Sequence, residues 1–142
     1  LKSIEIRKEL TDEWKKHGLQ EGGEFAFLTD VIYKTWADKS AREYKRFKGL
    51  KKENLRDNMT NLELVLNMLA EATTTEISKE RKPRTTAANR AVAAQGGRIA
   101  GNTRREIEAQ TGKRIVSPLT AKQALAEKTA EGIEHPEADT TE

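Results

Sequence analysis

Cysteine is absent from this chain, so disulfides, thiolate nucleophiles and cysteine metal sites are excluded together, and nothing argues for an oxidising compartment. A cytoplasmic protein is the expectation. No run approaches the roughly 18 consecutive apolar residues of a membrane span, and the first residues are charged and amphipathic, unlike a secretory signal. No membrane partner is expected. Aromatic residues make up 5% of the 142 positions, and apolar and charged residues 35% each, so any core is thin and much of each helix is solvated. The two histidines, His17 and His135, lie far apart, and no carboxylate sits beside a histidine, serine or second carboxylate in a catalytic pattern. Neither a metal, a cofactor nor a catalytic residue is assigned.

What the chain does have is helical periodicity. Residues 4 to 17, closed by Gly18 and anchored by Trp14, read as a first helix; Phe25, Leu28, Ile32 and Trp36 mark a second, over about 24 to 36, forming a hairpin with the first. Ser40 with Glu43 makes a capping box that opens a short basic helix through Phe47, stopped by Gly49. Tyr44 and Phe47 point inward together in this reading. Thr60 with Glu63 makes a second box, followed by Leu62, Val65, Leu66, Leu69, Thr73 and Ile77 at three- and four-residue spacing. That stripe predicts a core-facing helix over about 60 to 79, and Pro83 ends it.

The alanine-rich stretch 87–110 also reads as a helix, although it holds Gly96, Gly97 and Gly101, each destabilising by about 1 kcal/mol relative to alanine in a helix interior. Ala93, Gly97 and Gly101 recur every four residues on one face, which suits close approach to another helix or a dimer partner. A helix broken in two at Gly96-Gly97 is the alternative. A nucleotide loop is excluded there, because the glycines follow a helix rather than a strand and no Gly-Lys-Ser/Thr is present. Residues 113–117 suggest a short extended arm before Pro118. Residues 121–128 suggest a last helical turn or two, and from Glu127 to Glu142 six acidic residues face one lysine, which predicts disorder. The organisation is therefore an all-α domain of four or five helices over 1–117, followed by a flexible acidic tail over 118–142.

Charge supplies the candidate binding residues. Between Lys39 and Arg56 eight basic residues oppose only Glu43 and Glu53. Lys45, Arg46, Lys48, Lys51 and Lys52 are the candidate nucleic-acid contacts here, because lysine and arginine displace counterions from phosphates. Arg98, Arg104 and Arg105 extend the group if the helices align them into one stripe. A solvated helix face that binds nothing remains the plain alternative. Asp57 is expected to pair with Arg56, or with an arginine of the glycine-bearing helix, and to set an interhelical angle.

Three stretches in order, IRKELTDEWKKHG, FKGLKKENLRDNMTNLELVLNMLAEATTTEI and AAQGGRIAGNTRREIEAQTGKRIVS, carry a resemblance spanning residues 4 to 117. They are similar to the C-terminal half of phage-antirepressor-like proteins with an N-terminal BRO domain, a family that includes DNA-damage-inducible protein D and its relatives. The resemblance implies a non-enzymatic regulatory module that binds a protein partner, such as a repressor or DNA-repair protein, and possibly DNA, with homodimerisation plausible. It also implies that this chain begins inside a longer polypeptide. A direct DNA-binding domain contacting phosphates is the alternative.

Overall fold

A computed structural model describes residues 1–134, with side chains through residue 130. Among the described residues there are six α-helices and no strand. These are α1 (Lys2–Lys16), α2 (Gly23–Ala37), α3 (Ala41–Phe47), α4 (Asn61–Arg81), α5 (Thr86–Thr111) and α6 (Ala121–Glu134), with a single 3-10 turn at Arg56–Asn58 before α4. Local chemistry sets these boundaries. Ser40 Oγ accepts from the Glu43 amide at 3.1 Å while the Glu43 carboxylate accepts from the Ser40 amide at 2.8 Å, and Thr85 caps α5 at Ala88.

The long helix α5 is the centre of the fold, lying against α2 on one flank and α4 on the other. It runs unbroken through Gly96-Gly97. Its glycines explain the closeness. A Cβ on Gly101 would stand 2.6 Å from the Thr35 carbonyl oxygen, and one on Gly96 would stand 2.9 Å from the Thr74 amide and 3.0 Å from the Ala70 carbonyl. At Gly97 a Cβ would meet the Thr35 side chain. The Ala93, Gly97, Gly101 face is thus spent on packing inside the chain, beneath α2, rather than left open for a second copy.

Two expectations about faces are overturned. The first helix packs chiefly on α4 rather than forming a hairpin with α2, which it reaches through side chains: the Trp14 and Phe25 rings at 5.3 Å, and Arg7 donating to Thr29 at 2.8 Å. The buried face of α4 is Glu63, Leu66, Asn67, Ala70, Glu71, Thr74, Thr75 and Ser78; of the expected stripe Leu66 is buried and Leu69 packs on the core, while Leu62 and Val65 stand 45% and 56% exposed. Gly96 of α5 presses on α4 at Ala70 and Thr74, where only small side chains fit. Thr74 and Thr75 satisfy their hydroxyls on the carbonyls four residues earlier, at 2.7 and 3.0 Å, so their burial leaves no donor stranded.

The C-terminal expectation also changes. Residues 113–117 form a loop with Ile115 buried, and helix α6 occupies 121–134, longer than the turn or two expected over 121–128 and reaching into the stretch expected to be a flexible tail. A capping pair starts it: Thr120 Oγ1 accepts from the Gln123 amide at 3.2 Å and Gln123 Oε1 from the Thr120 amide at 2.9 Å, ahead of an alanine-, lysine- and glutamate-rich run of high helix propensity. The expected disorder over 135–142 lies outside the described residues.

The glycine contacts give a prediction opposite in sign to helix propensity. Gly101→Ala gains about 1 kcal/mol of propensity, yet the clash with the α2 backbone is expected to destabilise the fold by about 1–3 kcal/mol net in urea unfolding. Gly23→Ala, where an added Cβ meets nothing within 4 Å, is expected to be neutral or stabilising by up to about 1 kcal/mol. Equal effects at the two positions would contradict the packing described.

Candidate nucleic-acid interface

The basic region between α2 and α4 separates into a buried part and an exposed part. Helix α3 turns Tyr44 into the core, where its ring meets Tyr33 at 5.9 Å and Trp36 at 6.0 Å, and turns Arg42 and Arg46 to solvent. Phe47, expected to face inward with Tyr44, is instead 40% exposed, with the Lys39 ammonium 4.3 Å above its ring. After Gly49, whose φ of 73° favours a residue without Cβ, the chain is pinned by buried Leu50, Leu55 and Met59. Lys51 and Lys52 point outward, and the Glu53 carboxylate accepts from their backbone amides at 2.8 and 3.0 Å, which holds its pKa below the usual range.

Two adjoining depressions result. One, of about 470 Å³, is lined by Arg42, Lys45, Arg46, Leu50 and Lys51, with no carboxylate in its walls. The other, of about 330 Å³, is walled by Arg7, Thr29, Tyr33, Lys45, Asn54 and Arg56 among others. Lys45 lines both. These walls draw on α1, α2, α3 and the loop before α4, so their cations are brought together by tertiary packing as well as by sequence proximity.

Three basic residues are engaged inside the fold, Lys48 and Arg104 buried and Arg56 in part. Lys48 is buried: its Nζ donates to Glu63 Oε1 at 2.6 Å and to the Leu119 carbonyl, and it is unavailable to a ligand. Glu63, expected to be a cap, accepts from the Thr60 amide at 2.9 Å as foreseen, but also from the Ser117 amide at 3.1 Å and the Tyr44 hydroxyl. Arg104 is likewise buried, donating to the Trp36 carbonyl at 2.7 Å, Asp38 at 2.9 Å and Glu108 at 2.9 Å. Arg56 donates to Glu71 at 2.6 Å and to the Ser3 carbonyl and hydroxyl. Asp57, assigned the angle-fixing ion pair, is exposed, with its amide bonded to Asn54; Arg56 and Glu71 hold that position instead.

Sequence spacing places Lys48 and Arg56 among surface cations because their carboxylates lie 15 residues downstream in each case, on the unexpected face of α4. Removing both from the eight basic residues leaves six against Glu43 and Glu53, an excess of four on the surface. Arg98 and Arg105 stand exposed on α5, Arg105 bonded to Asn102 at 2.6 Å, and neither lines the two depressions. Among the described residues no three His, Asp or Glu side chains converge as metal ligands, and no helix is long and apolar enough to cross a membrane.

Burial pushes the Tyr33 phenol up to about 12, assisted by the Glu71 carboxylate. Burial also raises Tyr44 strongly, reinforced by the Glu63 charge. Comparison with protein-family models, with curated proteins and with solved structures finds no match to this chain.

Two measurements check this reading of the buried charges. Lys48→Met leaves the Glu63 carboxylate in the core without its cation and is expected to destabilise by about 3–5 kcal/mol, with Lys48→Met/Glu63→Gln together recovering part of the loss; a loss no larger than a surface substitution would contradict it. Tyr33 and Tyr44 are the chain's two tyrosines, so the rise in tyrosinate absorbance with pH reports their ionisation. Because folding raises both pKa values, their contribution is complete below the unfolded value near 10 and is lost as pH rises through the folded values. The phenols should therefore ionise together with alkaline unfolding, above the ordinary tyrosine range. A non-cooperative titration centred near 10 would contradict their burial.

Proposed function

We propose that this chain is a non-enzymatic interaction module of an antirepressor-like or DNA-damage-response protein, and that it holds nucleic acid by its phosphates through the face formed by α3 and the loop that follows. One observation carries the reading: Arg42, Lys45, Arg46 and Lys51 wall a single depression that no carboxylate enters. Such a surface attracts a polyanion by counterion release and reads no base sequence. The resemblance of residues 4 to 117 to antirepressor-like proteins supplies the setting.

A protein partner is the second reading, favoured by a different region. Leu62, at the start of α4, and Leu125, on α6, are 45% and 66% exposed and line one groove of about 670 Å³ with Lys113 and Lys128 at its edges. Apolar side chains flanked by cations suit an acidic amphipathic segment of a repressor or repair protein.

Fluorescence anisotropy with short duplex and single-stranded DNA tests the first reading. Between about 50 and 200 mM salt, log affinity is expected to fall linearly with log salt, by about 0.9 per duplex phosphate neutralised. The Arg42→Ala/Arg46→Ala/Lys51→Ala variant should lower that slope by about two to three. Unchanged affinity and slope in the variant would remove the proposed face.

A further inference from the structure

The cleft that adjoins this face is built differently from the open depression beside it. Its two guanidinium groups are fixed before any ligand arrives. Arg56 donates to Glu71 at 2.6 Å and to the Ser3 carbonyl and hydroxyl, each at 3.1 Å. Arg7 donates to Thr29 Oγ1 at 2.8 Å and to the same Glu71 oxygen at 3.4 Å, with its guanidinium carbon 5.4 Å from the Trp14 ring. The Glu71 side chain is 2% exposed, so the counter-anion lies beneath the arginines and leaves their outer edges at the mouth.

Charge then selects the ligand. Arg7, Arg56 and Lys45 set three positive charges against the single Glu71 carboxylate, an excess of two in a cleft of about 330 Å³. The Tyr33 phenol, held neutral to about pH 12 by burial, and Asn54 add hydrogen-bonding groups without adding charge. A phosphodiester within a strand carries one negative charge, whereas a phosphate monoester carries about 1.5 to 2 at neutral pH and offers three oxygens to planar arginine forks. Charge balance is met by the monoester.

We propose that this cleft receives the terminal phosphate monoester of a nucleic-acid strand, with the phosphodiesters that follow running over Arg42, Arg46 and Lys51. Lys45 lines both depressions and joins the end site to the track. The proposal rests on the nucleic-acid reading above and adds to it a preference for a phosphorylated end.

Single-stranded oligonucleotides of one sequence, bearing a 5′-phosphate, a 3′-phosphate or hydroxyls at both ends, test it at fixed salt. One phosphorylated end is expected to bind about tenfold more tightly than the hydroxyl-ended strand. Arg7→Gln should abolish that preference while hydroxyl-ended binding persists, because Glu71 keeps Arg56 as its counter-ion. Should Arg7→Gln fail to fold, the wild-type chain still decides: the arginine Nε–H resonances of Arg7 and Arg56 should shift with the phosphorylated strand and not with the hydroxyl-ended one. Equal binding of all three strands, with Arg42→Ala/Arg46→Ala/Lys51→Ala still weakening it, would overturn the end site and leave the nucleic-acid face standing. Absence of binding to every strand would overturn both. Shifts with inorganic phosphate or a serine phosphopeptide, but with no oligonucleotide, would overturn the strand-end assignment in favour of another phosphomonoester.

Discussion

Backbone contact between α5 and its two neighbours is the constraint on which the rest of the structure depends. With Gly96 against α4 and Gly97 and Gly101 against α2, the three helices approach more closely than side chains at those positions would allow. A chain with few large apolar residues can bury little by interdigitation. It gains contact here by removing side chains, so that dispersion between backbones replaces part of the missing hydrophobic volume. The unfavourable propensity of three glycines inside one helix is the corresponding cost, and it is offset only because the approach occurs on two flanks at once.

That approach dictates which face of α4 turns inward. Small side chains are needed opposite Gly96, and Ala70, Thr74 and Ser78 provide them along one side of the helix. Glu63, Asn67 and Glu71 follow them into the interior by helical geometry. Two buried carboxylates then require cations from elsewhere in the chain. Lys48 answers Glu63, and Arg56 with Arg7 answers Glu71, tying the end of α3, the loop before α4 and α1 to α4 through charge rather than apolar area. Arg104, anchored on the Trp36 carbonyl, Asp38 and Glu108, does the same for the end of α2 and the loop before α6, because the Glu108 carboxylate also accepts the Ile115 amide at 3.0 Å. Such pairs fix orientation more than they add stability, since the desolvation of each ion cancels much of its attraction.

The elements were largely legible in the sequence and the faces were not. Ser40 with Glu43, Gly49, Pro83 and the alanine-rich run each act through the backbone of their own segment, so α2 to α5 follow from local rules. The inward face of α4 is set by Gly96, more than 20 residues downstream of the residues it meets, and a periodicity of Leu62, Val65 and Leu69 carries no information about it. Lys48, Arg56 and Arg104 read as surface charge for the same reason: what distinguishes them is a partner supplied by another element. Helix α6 was legible only as a turn or two over 121–128, because apolar spacing was weighed above capping, although Thr120 and Gln123 hold the same reciprocal geometry as Ser40 and Glu43.

The sorting of cations into buried and exposed sets bears directly on what the basic region can recognise. A flexible lysine on an open face attracts any phosphate and loses rotamer freedom each time it binds. An arginine already held by Glu71 and Thr29, or by Glu71 and Ser3, has lost that freedom during folding, so its remaining edge meets a ligand with less to give up. Charge density alone would therefore make Arg42, Arg46 and Lys51 the stronger attractors, whereas preorganisation makes Arg7 and Arg56 the more selective ones. Lys45 lies between the two sets, so in the proposed function general attraction to a polyanion and selection of one doubly charged group would act on the same strand.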